Sequence, residues 1–437
     1  MPGAWPLMQV LPPISQPNAL PQRVLLVENS RAYTLAVAQA IEQQLELPVT
    51  VASTLAEARQ ALDRHDDWFL VLTGLVLADG DRDTVVDCFL RRALPTVVVT
   101  GVFDEDLRER MLRRQIIDFV LKNAADSLDY IVWLVQRLER NRRISALVVD
   151  DSTTQRMHAA LLLEMYGYRV VQADNGEAAL KALEEDPTIR LAVVDQEMPG
   201  MQGIELTRRL RALRPRDRVA VIGVSGRDDP GLVARFLKNG ANDFLRKPYS
   251  REEFFCRVSQ NVDQLELIGS LQDLATRDFL TGLPNRRHFL EQAEQMVPRM
   301  LNVRLPVAAA MLDVDHFKHI NDSWGHETGD HALRALAQAM SAHARHQDLV
   351  ARFGGEEFCM LVPGLEPDEL AAYFEELRKR VEDLRVPLRN GELNMTISIG
   401  VCAAQPGDSL HHLLNEADRR LYLAKAGGRN RVVGEAA

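Results

Sequence analysis

Arg352-Phe353-Gly354-Gly355-Glu356-Glu357-Phe358 lies between two apolar segments, Asp348-Leu349-Val350 on one side and Cys359-Met360-Leu361-Val362 on the other. The pattern predicts a β-hairpin whose tip needs glycine for backbone angles that other residues adopt poorly. Bare glycine backbone also lets a large ligand come close. Two adjacent carboxylates displayed there can hold Mg²⁺, which takes carboxylate oxygens and shares its remaining coordination with substrate phosphates. Taken alone, such a tip is more often only a solvated turn, so the flanking sequence decides.

Outward from the hairpin, residues 278–437 read as one α/β unit. Asp278-Phe279-Leu280-Thr281-Gly282-Leu283-Pro284-Asn285-Arg286-Arg287 is a turn leading into a helix. Val307-Ala308-Ala309-Ala310-Met311-Leu312 is a buried-strand run that ends in Asp313-Val314-Asp315-His316-Phe317-Lys318. Carboxylates at a strand end followed by a loop into a helix suit a divalent metal and a triphosphate, because loop amides can point at phosphate oxygens. Asn321 and Asp330, one to two helical turns on, can offer acceptors to a base edge. Lys425 and Arg429 lead into a basic glycine-rich end, and a spacing of one helical turn lets them clamp phosphates.

The remainder of the chain bounds the reading. At 437 residues it is long for one core and suggests about three domains. A net charge of -10 argues against a general nucleic-acid or membrane-surface binder. Cys88, Cys256, Cys359 and Cys402 have no CxxC spacing, so neither a zinc site nor a disulfide framework is implied. No apolar run approaches the ~20 residues that span a bilayer, and the start of the chain does not read as a signal peptide; a cytoplasmic protein is expected. Residues 1–22 hold six prolines and read as a disordered leader.

From Arg23 short apolar strands alternate with amphipathic helices, the pattern of a doubly wound α/β domain. That pattern occurs twice. Val27-Glu28-Asn29-Ser30 returns as Val149-Asp150-Asp151-Ser152, Val97-Val98-Val99-Thr100-Gly101 as Ile222-Gly223-Val224-Ser225-Gly226, and Asp118-Phe119-Val120-Leu121-Lys122 as Asp243-Phe244-Leu245-Arg246-Lys247. The offsets of 122, 125 and 125 residues mark a domain duplication. We divide the chain at 23–140, 141–250, a helical linker or stalk over 251–277, and 278–437. The stalk shows Val258, Val262, Leu265, Ile268 and Leu271 at spacings of three or four, with a short coiled coil and a helix packed on its own domain as equal readings.

In the second repeat Asp150, Asp151, Asp195, Ser225 and Lys247 close successive strands, and in an open parallel sheet ligands bind at those ends. A carboxylate there can accept a phosphoryl group if cations offset the incoming charge. These residues resemble those of the receiver domain of two-component response regulators. The resemblance implies Asp195 as phosphoacceptor, with Asp150, Asp151 and the Glu197 carbonyl around a metal. It makes Lys247 the phosphate lysine, and Ser225 with Phe244 the switch pair. It also implies a cognate histidine kinase or phosphotransfer protein as donor. The first repeat resembles the same fold but places Gly74 at the acceptor position and Glu28-Asn29 at the acidic pair, so we read it as a degenerate receiver serving as an adaptor or dimer surface. A minor alternative would have Thr73 or Asp79 take the phosphoryl group.

Residues 278–437 resemble the GGDEF domain of diguanylate cyclases, in its GGEEF form. The fold class implied is two flavodoxin-like receiver domains followed by a GGDEF α/β domain of the nucleotidyl cyclase type. The resemblance implies that Asp313, the Val314 carbonyl and Glu357 bind Mg²⁺, while Glu356 assists a second metal or deprotonates the ribose 3′-hydroxyl. Phe317 and Lys318 amides, with Lys425 and Arg429, would hold β- and γ-phosphates, and Asn321 and Asp330 would read guanine. Two GTP would condense to cyclic di-GMP and two pyrophosphates across a homodimer, since each domain holds one substrate. Arg345 and Asp348 fit an RxxD product-inhibition site, with Arg378 as a secondary contact. The rival class is a non-catalytic cyclic di-GMP or GTP receptor or scaffold, which degraded metal carboxylates would favour; Asp313, Glu356 and Glu357 are all present.

Overall fold

The computed structural model describes residues 22–102, 104–124, 126–227, 229–388 and 391–434. The proline-rich leader expected over 1–22 lies outside the described residues except for Gln22. The chain divides into two compact units, one ending at Glu266 and the other starting at Leu267.

The first unit holds both repeats. The first runs β1 (Arg23–Val27), α1 (Arg31–Leu45), β2 (Val49–Ala52), α2 (Leu55–Arg64), β3 (Trp68–Thr73), α3 (Arg82–Leu90), β4 (Thr96–Thr100), α4 (Glu105–Arg113), β5 (Asp118–Leu121) and α5 (Ser127–Asn141). The second runs β6 (Ser145–Val149), α6 (Thr153–Met165), β7 (Arg169–Ala173), α7 (Gly176–Glu185), β8 (Ile189–Asp195), α8 (Gly203–Leu213), β9 (Ala220–Ser225), α9 (Pro230–Lys238), β10 (Asp243–Arg246) and α10 (Arg251–Thr276). The strand orders are β2-β1-β3-β4-β5 and β7-β6-β8-β9-β10, all parallel. Each is the doubly wound, flavodoxin-like 2-1-3-4-5 order. Helices cover both faces, which is why β3 and β9 are buried along their whole length and read as unbroken apolar runs.

One hydrophobic core joins the two repeats, with Leu138 and Ile144 beside Tyr166 and the base of α10. The Tyr166 and Phe255 rings stack at 3.6 Å between centroids. Arg137, 1% exposed, donates to Asn141, Asp263 and Glu266 at 2.7–3.0 Å. The Arg251 guanidinium donates to the Leu112, Ile116 and Ile117 carbonyls. Helix α10 sets Val258 and Val262 in this core and buries Leu265 as well, whereas Leu271, expected on the same stripe, is 57% exposed, and Leu267 and Leu274 are exposed too. The apolar spacing continues beyond the partner that buries it.

The second unit contains α11 (Arg286–Asn302), β11 (Val307–Val314), α12 (Phe317–Trp324), α13 (His326–His343), β12 (Leu349–Gly354), β13 (Glu357–Pro363), α14 (Pro367–Glu382), β14 (Val386–Leu388), β15 (Gly391–Leu393), β16 (Ile397–Ala403), α15 (Leu410–Ala426) and β17 (Val432–Val433). Its main sheet has the order β12-β13-β11-β16-β17. The central strand β11 is buried at all eight positions and antiparallel to both neighbours. Its side chains alternate between two cores, Ala308, Ala310 and Leu312 on one face and Val307, Ala309 and Met311 on the other. Among the described residues no helix is long and apolar enough to cross a membrane.

Candidate active site and phosphoacceptor site

Strands β11 and β13 pair in a register that sets Asp313 directly opposite Glu357. Such opposed residues share a face of the sheet with Cα atoms about 4.5–5.5 Å apart, so the two strand–loop junctions picked out in the sequence converge. The hairpin tip turns through Gly355 at φ +52°, a left-handed conformation that disfavours a side chain. No atom lies within 4 Å of where a Cβ on Gly354 or Gly355 would sit, so the tip is open to a ligand. Arg352 braces it by donating to the Gly355 carbonyl at 3.0 and 2.6 Å and to Asp278 Oδ1 at 2.9 Å. Asp278 also accepts from the Thr281 amide and hydroxyl, at 2.9 and 2.7 Å. Sequence reading saw only a turn here; an Asp three residues before a Thr was the available signal of a side-chain-closed turn.

Asp313 is 5% exposed and its Oδ2 pairs with Lys425 Nζ at 2.7 Å. Burial pushes its carboxyl up, Lys425 opposes this, and the charges of Glu356 and Glu357 push it up further, to about 6. A carboxylate strained in this way by burial and like charge gains from a divalent cation, so the donor set fits a hard metal ion. The oxygens of Asp313, Glu356 and Glu357 are not gathered within 4.8 Å of one another; among the described residues only Asp150, Asp151 and Asp195 are.

Beyond β11, His316 at φ +55° turns the chain into α12, whose first-turn amides, Phe317 and Lys318 among them, have no acceptor within the helix. Asn321 on α12 packs against Gly329 on α13, where any Cβ would collide with Asn321 Oδ1. Gly329 therefore makes room for Asn321, a dependence that sequence reading missed, and Asp330 is the next residue of α13. Arg429 does not stand one helical turn from Lys425. Helix α15 ends at Ala426, and Arg429 and Asn430 follow in left-handed conformations, φ +65° and +45°.

That bend is held by Asp315, 4% exposed, which accepts from Thr396 Oγ1 (2.7 Å), Ser398 Oγ (2.6 Å) and the Asn430 amide (3.0 Å). Arg378, expected as a secondary inhibitory contact, is spent on the same bend. It is 8% exposed and donates to Glu375, Glu382 and Asn430 Oδ1.

Arg345 and Asp348 are brought together as a mutual pair. Asp348 Oδ1 accepts from Arg345 Nη2 at 2.8 Å, and Oδ2 accepts from the Arg345 amide and Nε at 2.8 and 3.2 Å. The side chain of Asp348 is fully buried and that of Arg345 is 30% exposed.

In the second repeat, Asp150, Asp151 and Asp195 lie at the carboxyl ends of β6 and β8 with their ligand oxygens within 4.8 Å of one another. Lys247 Nζ donates to Asp150 at 2.7 Å, Asp195 at 2.6 Å, and Gln155. Burial pushes the Asp195 carboxyl above its ordinary range although Lys247 opposes it. The Glu197 amide donates to Asp195 Oδ2 at 2.7 Å, while its carboxylate accepts from Ser225 Oγ at 2.9 and 3.1 Å. Phe244 is buried on Phe236, ring centroids 5.4 Å apart.

The first repeat replaces this arrangement with its own side chains. Glu28, 2% exposed, pairs with Lys122 at 2.5 Å and fills the space that a side chain at Gly74 would need. Thr73 donates internally to the Gly74 carbonyl, and Asp79 accepts from the Leu55 and Ala56 amides at the start of α2. Thr73 is buried, and Asp79 is engaged in capping α2.

Residues 146–259 match the response regulator receiver domain family, and residues 275–431 match the family described as diguanylate cyclase, GGDEF domain. The chain is similar to the response regulator PleD of Caulobacter vibrioides, 30% identical over 457 residues that cover 95% of this chain and 99% of PleD. It is similar to the diguanylate cyclase DgcM of Escherichia coli, 37% identical over 185 residues, 42% of this chain and 44% of DgcM. A solved two-component system response regulator/GGDEF domain protein superposes with a TM-score of 0.53 at 41% identity, covering 56% of this chain and 99% of that one.

Proposed function

Because the chain belongs to the diguanylate cyclases that join response-regulator receivers to a GGDEF domain, we propose that it condenses two GTP to cyclic di-GMP under the control of Asp195 phosphorylation. Enzymes of this family are metal-dependent; here Asp313, the Val314 carbonyl and Glu357 would hold Mg²⁺, with Glu356 beside it. Bound there, the metal offsets negative charge on the triphosphate. Lys425 and Arg429, with the first amides of α12, would bind the terminal phosphates. Asn321 and Asp330 would take guanine, whose N1–H and N2–H₂ donors a carboxylate can accept and adenine lacks. The 3′-oxygen of one GTP attacks the α-phosphorus of the other and pyrophosphate leaves; the reciprocal attack closes the ring and releases the second pyrophosphate. Glu356 would assist a second metal or take the 3′-hydroxyl proton.

The observation that carries this reading is the facing of Asp313 and Glu357 across β11 and β13, with Lys425 on the same carboxylate. Each domain holds one substrate, so phosphorylation would act by bringing two copies together, and product would inhibit at Arg345 and Asp348. The test is incubation of the full chain with GTP and Mg²⁺, with and without a beryllium fluoride adduct on Asp195, following cyclic di-GMP by chromatography. Turnover that rises with the adduct and stops with a metal chelator is expected. Bound GTP without product would overturn the catalytic reading, and turnover indifferent to the adduct would overturn the regulatory one.

A further inference from the structure

Asp348 carries a fourth donor, and this one comes from outside its own loop. Tyr373, on α14, donates its hydroxyl to Asp348 Oδ2 at 2.7 Å, and the Arg345 guanidinium lies 5.4 Å over the Tyr373 ring. The ring is fixed on its other side by His343, 4.3 Å between centroids, whose Nε2 lies 3.0 Å from the Tyr373 carbonyl. Oδ2 therefore faces the Arg345 amide, Arg345 Nε and Tyr373 OH together, and Oδ1 faces Arg345 Nη2. Arg345 Nη2 also donates to the Pro363 carbonyl at 2.7 Å. A carboxylate offers about four lone-pair positions. Three donors crowd Oδ2, one sits on Oδ1, and the side chain is fully buried, so neither oxygen can reach a guanine edge until a neighbouring group moves.

We infer that Tyr373 is a latch on the Arg345–Asp348 site, holding the pair closed so that cyclic di-GMP must displace its hydroxyl before Asp348 can accept from the nucleotide. The inference rests on the reading of Arg345 and Asp348 as the product site and adds the residue that sets how readily the site opens. A ligand that binds only the opened arrangement has its apparent affinity reduced by the fraction of molecules that are open. The Tyr373 hydroxyl bonds an ionised group, the stronger kind of hydrogen bond, so its removal shifts that fraction appreciably.

The experiment is calorimetric titration of cyclic di-GMP into the full chain freed of nucleotide, for wild type, Tyr373→Phe and Arg345→Ala, with the unfolding temperature of each measured alongside. Tyr373→Phe keeps the ring on His343 and Arg345 and removes only the donor. The expected result is binding tighter by roughly tenfold in Tyr373→Phe and much weaker in Arg345→Ala. A purely structural role for the hydroxyl would lower the unfolding temperature but would not tighten binding. If Arg345→Ala loses affinity while Tyr373→Phe is unchanged or weaker, the latch is wrong and the product site stands. If Arg345→Ala binds like wild type, the product sits elsewhere and both readings fall.

Discussion

At Gly74 the first receiver has no room for a side chain, because the Glu28 carboxylate sits there on Lys122. Gly74→Asp alone is therefore expected to be unphosphorylated at residue 74 by a small phosphodonor and to unfold at lower temperature than wild type. Phosphopeptide mass spectrometry and a thermal melt read the two outcomes. The same steric logic applies at Gly329: Gly329→Ala pushes Asn321 aside, and we expect a rise in KM for GTP of at least several-fold with a smaller change in kcat. Asp330→Ser is expected to admit ATP, read as a mixed product pattern with both nucleotides present. Asp313, Glu356 and Glu357 stood out in the sequence only as a set, because a strand-end carboxylate and a Gly-Gly-Glu-Glu tip, each common alone, recur here in one ordered series of motifs. Asp315 and Asp278 were not, since their meaning lies in partners tens of residues away, Ser398 and Asn430 for the first and Arg352 for the second; nor was Gly329, whose partner Asn321 sits on a different helix.

The hairpin of β12 and β13 and the bend after α15 are where local sequence and distant contacts meet. Alternating apolar residues and Gly-Gly predicted the hairpin, but its brace through Arg352 to Asp278 comes from the start of the unit. Burial alone would raise the Asp278 carboxyl, yet Arg352 and Thr281 more than offset it and hold it below the usual aspartate value. A depressed carboxylate contributes stability that is complete above the ordinary aspartate pKa, about 4, and is lost as pH falls through the lower folded value. Asp278→Asn should thus lower the melting temperature at neutral pH and show a flatter acid limb below about pH 4; parallel acid limbs in variant and wild type would count against the brace. At the other end, helical spacing placed Lys425 and Arg429 on one turn, and the early end of α15 at Ala426 defeated that expectation. Two consecutive non-glycine residues at positive φ cost roughly 1–2 kcal/mol each and persist because Asp315 and Arg378 hold Asn430.

The duplication and the two doubly wound sheets it produces were readable at the scale of the molecule, since recurring strand-end motifs 122–125 residues apart leave few other architectures. How the two receivers are joined was not readable, because the joint depends on side chains from α5, α6 and α10 that carry no motif. At its centre Arg137 is buried against Asp263 and Glu266. Arg137→Ala leaves Asp263 and Glu266 short of a partner, but both carboxylates reach water and Glu266 keeps Arg140, so the loss falls below the roughly 3–5 kcal/mol of a fully buried pair broken from one side. A lowered denaturant midpoint for the receiver unit is the expected outcome, and an unchanged midpoint would show that the apolar contacts alone hold the joint.

The plugged cleft beside Gly74 also bears on counting. If Asp195 is the acceptor we propose, each polypeptide stores a single bit, and donor titration should saturate at one equivalent per chain however much is supplied. A pair of chains then has only three occupancy states, empty, half-filled and full. The steepness of its dose–response curve is set by how output differs among those three and not by any second charge on the same chain.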